Sequence, residues 1–303
     1  NLLAIGCEKM DFIQQLINGL QLGSIYALVA LGYTMVYGII KLINFAHGEF
    51  IMVGAYIALT TVPFLIQVGL PIWTSAFAAI VFCALLGVIT ERVAYRPLRN
   101  SPRLTSLITA IGISFFLQNA FMLIYSPNPK PFPKMIPVGN VKIGSVQISM
   151  SALLTIVISI IIMLALQAFI QKNKMGKAMR AVSEDYGASQ LMGININHTI
   201  SFTFAVGSGL AAVAATFYCM AYPLVEYSMG TMLGLKAFVA AVLGGIGVIP
   251  GAMIGGLVLG IVESLTKAYI STRLADAVTF GVLILVLIFK PDGIMGKNTK
   301  EKV

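Results

Sequence analysis

The sequence predicts an all-α protein, a polytopic transmembrane helical bundle of about eight spans with broken or re-entrant helices. Three observations carry the prediction. Hydrophobic residues make up 58% of the chain and charged residues only 10%, against about 25% charged in a soluble domain. Mean hydropathy is +0.92. Apolar stretches of about 18 residues or more recur along almost the whole chain, and a helix needs about 20 such residues to cross the hydrocarbon core. A membrane barrel would instead show strands of about ten residues with alternating polarity.

The apolar segments run over residues 12–42, 49–69, 72–94, 105–125, 150–171, 199–222, 235–248, 251–270 and 275–290. The segment 235–248 is short for a crossing and fits half of a broken or re-entrant helix, whose ends must be buried by protein or line a cavity. Basic residues set the orientation. Arg92, Arg96, Arg99 and Arg103 flank one short loop, opposed locally by Glu91 alone. Lys172, Lys174, Lys177 and Arg180 open a second, and Lys290, Lys297, Lys300 and Lys302 mark the tail. The excess of Lys and Arg places all three in the cytoplasm. Parity then puts 127–149 and 223–234 outside and requires an odd number of crossings between 235 and 290. Ser126–Pro133, with its four prolines, suits an exposed extended segment. The net charge of +9 is thus mainly a topology signal. With no separate basic domain, nucleic acid is not an expected partner; membrane lipid is.

Catalytic chemistry is not expected. No G-x-x-x-x-G-K-[ST] phosphate loop exists, because Gly176-Lys177 and Gly296-Lys297 lack both the spacing and the following hydroxyl residue. The two histidines, His47 and His198, form no H-E-x-x-H arrangement, and Cys7, Cys83 and Cys219 have no metal-ligand spacing. Neither a metal nor a bound cofactor is predicted. Cys83 and Cys219 read as small buried hydrophobes.

Three regions depart from plain membrane helix. Lys41–Phe50 drops Lys41, Asn44, His47, Gly48 and Glu49 into a long apolar stretch, which costs several kcal/mol at membrane depth unless the groups are paired or face water. It is either an interfacial turn or a helix break beside a translocation path. His47 and Glu49, two residues apart, would point to different faces. In Gly244–Gly260, Gly247, Gly251 and Gly255 repeat every four residues, as do Gly256 and Gly260, a stripe suited to close helix packing. The cytoplasmic stretch 176–195 reads as a short amphipathic helix, a turn near Ser183–Tyr186 and a further helical turn. Ala178, Ala181, Val182, Ala188, Leu191 and Met192 supply apolar contacts among its charges. Its small residues suit a protein groove, although a solvated connecting loop would also account for it.

The string Asn18–Leu28 (NGLQLGSIYAL), the string Asn44–Glu49 (NFAHGE), the 176–193 loop and the Ala240–Gly256 glycine cluster together resemble the LivH-type permeases of branched-chain amino acid ABC importers. The resemblance covers Met10 to about Gly296 and leaves residues 1–9 as an N-terminal extension and 297–303 as a cytoplasmic tail. It implies a permease domain over 10–296 that forms the path with a second, LivM-like permease subunit. It also implies two cytoplasmic ATPase subunits, which use the ATP, and an extracytoplasmic substrate-binding protein, in the bacterial inner membrane. The 176–195 loop would then be the ATPase-coupling segment, with Lys177, Arg180, Ala181, Glu184, Asp185, Ala188 and Gly193 as its contact candidates. An aliphatic zwitterion needs an apolar wall and a few polar groups, for which Tyr33, Tyr37, Asn44 and His47 are the candidates. A urea or short-amide permease and an ion-coupled secondary carrier are the competing readings.

Overall fold

The computed structural model describes residues 2–99, 101–135, 139, 141–143 and 146–296, with side chains from residue 12 onward except those of Arg103 and residues 141–146. Asn1 and the tail 297–303, with Lys297, Lys300 and Lys302, lie outside the described residues.

The axis of the bundle is α1 (Leu2–Ile40), whose most apolar stretch is 83% buried, against 11% for α4 (Arg103–Tyr125). Small residues place it there. Gly19 and Gly23 meet Gly256 and Gly260 of α10 (Ile249–Tyr269), and a Cβ on Gly23 would stand 2.8 Å from the Leu257 Cα. Backbones this close replace the hydrophobic drive that lipid cannot supply with van der Waals contact. Helix α8 (Ile196–Ala221) packs on α1 through Gly207 and Gly32, and on α2 (Glu49–Val68) through Ala212 and Gly54. Helices α3 (Ser75–Thr90) and α5 (Met150–Lys172) complete the long set. α3 continues as a π turn over Glu91–Tyr95.

Among the described residues, seven helices are long and apolar enough to span a membrane, and two shorter apolar helices accompany them, α9 (Met229–Gly244) and α11 (Ala275–Phe289). Three apolar helices, α9, α10 and α11, lie between residues 229 and 289, and of these only α10 is long enough by itself to span a membrane. Lys130–Pro131 pairs antiparallel with Leu224–Val225, so the two segments expected outside do share one side. Val141–Ile143 and Val146–Ile148 form a hairpin in the first of them. The second outer segment is shorter than expected, because residues 229–234 belong to α9. Gly230, Thr231 and Gly234 dilute its hydropathy, yet the two glycines are what let α9 reach the chain break at Gly48.

α9 turns into α10 through Gly245 and Gly247, at φ 104° and 93°, a region open to glycine at little cost. Its last carbonyls are capped from afar: the Ile294 and Met295 N–H groups donate to the Leu243 and Gly244 carbonyls at 2.8 and 3.0 Å. After α5 come α6 (Lys174–Glu184) and α7 (Tyr186–Leu191), the amphipathic helix, turn and further helical turn that the pattern predicts. Cys83 and Cys219 are free and buried.

Candidate functional site

The chain leaves α1 at Lys41, whose left-handed φ of 56° ends the helix. It then climbs back into the bundle instead of crossing directly. Asn44 fixes the return, because its Oδ1 accepts the Ala46 N–H at 3.0 Å and the Tyr95 hydroxyl at 2.7 Å. One turn of 3₁₀ helix, Phe45–His47, follows. The His47 imidazole is buried edge-on to Tyr33, with ring centroids 4.7 Å apart, and occupies the space that a Cβ on Gly32 would take. Gly48 meets Gly234 of α9 so closely that a Cβ there would stand 3.0 Å from the Gly234 Cα. Among the two readings of Lys41–Phe50, the structure realises the helix break.

Glu49, the first residue of α2, therefore begins a helix inside the bundle. Its Oε1 accepts the Ser114 hydroxyl of α4 at 3.1 Å and the Thr231 hydroxyl of α9 at 3.0 Å. Ser114 lies 114 − 103 = 11 residues into α4, a rise of about 16 Å, so Glu49 sits about halfway along a helix long enough to span a core about 30 Å thick. The first turn of α9 faces the same carboxylate, since a Cβ on Gly230 would stand 2.8 Å from Oε2. Oε2 itself is buried without a hydrogen-bond partner. A cavity of about 180 Å³ opens here, with Phe45, Ile111, Phe115 and Leu235 as its apolar wall.

Of the four residues proposed for the substrate path, Tyr33 lines this cavity. Asn44 and His47 are not part of its lining: Asn44 Oδ1 is engaged by Ala46 and Tyr95 and the His47 ring packs on Tyr33, while Asn44 Nδ2 and His47 Nε2 are buried without a hydrogen-bond partner. Tyr37 is half-buried one helical turn beyond Tyr33 and is not part of the lining. The sequence reading missed Glu49, Ser114 and Thr231 as a group. Glu49 was visible as an acid inside the polar string, whereas the two hydroxyls come from helices distant in sequence and gave no signal.

A second polar centre lies in the same bundle. Glu263 of α10 is fully buried and accepts Lys236 of α9 and Lys267 on one oxygen, at 2.8 and 2.7 Å, and the Tyr26 hydroxyl of α1 on the other, at 2.8 Å. Lys236 also meets Asp276 of α11 at 2.7 Å. The i,i+4 pair of Glu263 and Lys267 was legible in the sequence; their remaining partners were not.

The packing glycines divide by role. Gly251 and Gly255 seat against Gly244 and Ala240 of α9, and Gly256 and Gly260 against α1. Gly247 is a correction to the packing stripe: its Cβ position faces open space, and it serves the turn through its positive φ.

In the 176–195 segment, Asp185 caps α7 by accepting the Ala188 N–H at 2.9 Å, and Arg180 donates to the Gln171 carbonyl at 3.2 Å. Lys177, Glu184 and Ala188 are exposed and Ala181 is half-buried. Val182 is buried, but Leu191 and Met192 are 90% and 83% exposed, so these two make no contacts within the segment as the pattern had suggested. Gly193, at φ 79°, ends α7 in the left-handed region. The Tyr186 hydroxyl donates to the Ile39 carbonyl in the last turn of α1 at 2.7 Å, so the segment touches the helix end from which the break departs. Beside it, Glu91 is held by Arg99 and by the Ser201 hydroxyl, the latter at 2.6 Å, and Arg99 also donates to Asn197.

Comparison with known proteins bears on all of these features. Residues 15–287 match the family described as branched-chain amino acid transport system, permease component. The high-affinity branched-chain amino acid transport system permease protein BraD of Pseudomonas aeruginosa is 48% identical, over 98% of this chain and 99% of the relative. The permease LivH of Escherichia coli K12 is 46% identical over the same shares. A probable LivH of Methanocaldococcus jannaschii is 27% identical over 92% of this chain and 90% of its own. No solved structure matches the chain. A multi-pass membrane protein, the chain belongs to the family of permease components of branched-chain amino acid transport systems.

Proposed function

We propose that this chain is a membrane permease subunit of an ATP-driven importer of branched-chain, hydrophobic amino acids, and that it forms the translocation path together with a second, LivM-like permease subunit. The observation that carries the reading is the full-length identity of 48% and 46% to two permeases of that substrate class. The broken helix at mid-membrane, with an apolar cavity and few polar groups beside it, supports it, since a small aliphatic zwitterion needs such a lining.

The chain has no ATPase site of its own in this reading, in keeping with a sequence that lacks a phosphate loop. Two cytoplasmic ATPase subunits use the ATP, and an extracytoplasmic binding protein delivers substrate. The ATPases dock on α6 and α7, where exposed Leu191 and Met192 offer bulk to a groove. Closing of the ATPase pair moves α7, and Tyr186 passes that movement to the end of α1. The two permease subunits then rock between inward- and outward-facing packings.

The test is reconstitution of the chain with its partner permease, ATPases and binding protein in vesicles. Leucine uptake that requires ATP and all four kinds of component is expected. Uptake of urea in place of leucine, or leucine uptake by this chain alone under an ion gradient, overturns the reading.

A further inference from the structure

The cavity beside the helix break holds an acid with hydrogen-bonding capacity unspent. Glu49 is 1% exposed, yet only its Oε1 is engaged, by Ser114 and Thr231. Oε2 is buried with no partner, and among the described residues no basic side chain pairs with the carboxylate. Two helix N-termini, those of α2 and α9, converge on the group. Their positive ends favour an anion there and so hold the carboxylate in place. They leave Oε2 without a hydrogen bond, and a buried charged oxygen in that condition is costly until a donor meets it.

We propose that Glu49 is the subsite for the α-ammonium group of the transported amino acid. The Oε2 atom accepts one N–H of the ammonium, while the apolar wall of Phe45, Ile111, Phe115 and Leu235 receives the aliphatic side chain. The inference rests on the amino-acid importer reading and deepens it. An organic ammonium suits the cavity because one acidic group, with the Ser114, Thr231 and Tyr33 hydroxyls near it, stands against an apolar wall that would receive a carbon skeleton. The structure selects the ammonium end of a zwitterion over the carboxylate end, because Glu49 would repel the latter.

The test uses the purified complex of both permeases and the ATPases. In saturation-transfer NMR, 3-methylbutylammonium, which keeps the leucine skeleton and the ammonium, is expected to bind the wild type. It is expected not to bind Glu49→Gln, which retains size and the Oε1 acceptor. 4-Methylpentanoate, with the skeleton and a carboxylate, is expected to bind neither. In vesicles, leucine imported per ATP by Glu49→Gln should fall by about 30-fold or more, the loss expected on removing one partner of a buried charge pair. Failure of the amine to bind the wild type, equal binding of both probes, or undiminished amine binding and uptake in Glu49→Gln overturns the subsite. If Glu49→Gln does not assemble, the two probes on the wild type decide by themselves. A wild-type complex that imports no leucine defeats the importer reading instead, so the two failures are separate.

Discussion

Two buried carboxylates lie within the same membrane bundle and are treated in opposite ways. Glu263 is saturated: two lysines share one oxygen and a tyrosine takes the other, and Asp276 completes the charge balance on Lys236. Those contacts tie α1, α9, α10 and α11 together. Glu49 is left half-used, with two neutral hydroxyls on one oxygen and nothing on the other. A carboxylate with both oxygens engaged, two lysines on one and a tyrosine on the other, is bound into the framework. A half-satisfied one is available to a ligand. The difference separates an acid whose two oxygens are both engaged by the framework from one with an oxygen still open to a donor, which is the premise of the proposed subsite.

The largest effect that would sharpen the contrast is expected at the saturated centre. Lys236→Met leaves Glu263 and Asp276 with one cation fewer in a buried site, and should destabilise the assembled complex by about 3–5 kcal/mol. Denaturation of the purified complex followed by tryptophan and size-exclusion signals measures it. Full stability in Lys236→Met would show that Glu263 is no more structural than Glu49.

Asn44→Ala tests the segment that positions the other carboxylate. It removes the acceptor for Ala46 and for the Tyr95 hydroxyl, an expected loss of about 1–2 kcal/mol. Because that segment carries Glu49, uptake in vesicles should slow while the subunits still copurify. Normal uptake would mean that the break needs no support from Asn44 to place its acid.

The smallest effect is expected farthest from both centres. Tyr186→Phe removes one hydrogen bond to the Ile39 carbonyl, worth about 1 kcal/mol. Burial pushes the Tyr186 phenol above its ordinary pKa, so the native group remains a neutral donor, and the effect should be constant between about pH 6 and 8. ATP hydrolysed per leucine imported should rise, with hydrolysis itself retained. An unchanged ratio would make the contact passive.

The spans were legible because lipid imposes a simple rule, long apolar runs that match the thickness of its core. The break was legible too, since Asn44, His47 and Glu49 interrupt such a run. Its use was not. His47 and Asn44, the conspicuous polar residues, turn out to be held by Tyr33 and Tyr95, while the cavity is completed by Ser114 and Thr231, ordinary hydroxyl residues on distant helices. Met229–Gly234 looked like loop because glycine lowers hydropathy, although Gly230 and Gly234 are helical and give α9 its close approach to Gly48. Periodicity likewise could not separate Gly247, which bends the chain, from Gly251, which packs. Gly193 shows the same limit: its positive φ makes any substitution there a backbone perturbation, so Ala188, exposed and helical, is the cleaner position at which to probe ATPase docking.

The far-sided capping of α9 has a consequence for how the molecule is built. The Leu243 and Gly244 carbonyls receive their donors from Ile294 and Met295, beyond the whole of α10 and α11. During synthesis these two carbonyls have no access to those donors until α10 and α11 have both been made. The end of the helix bearing Thr231 is thus completed by residues made after α10 and α11, and the closing contact lies within the fold and not at its edge.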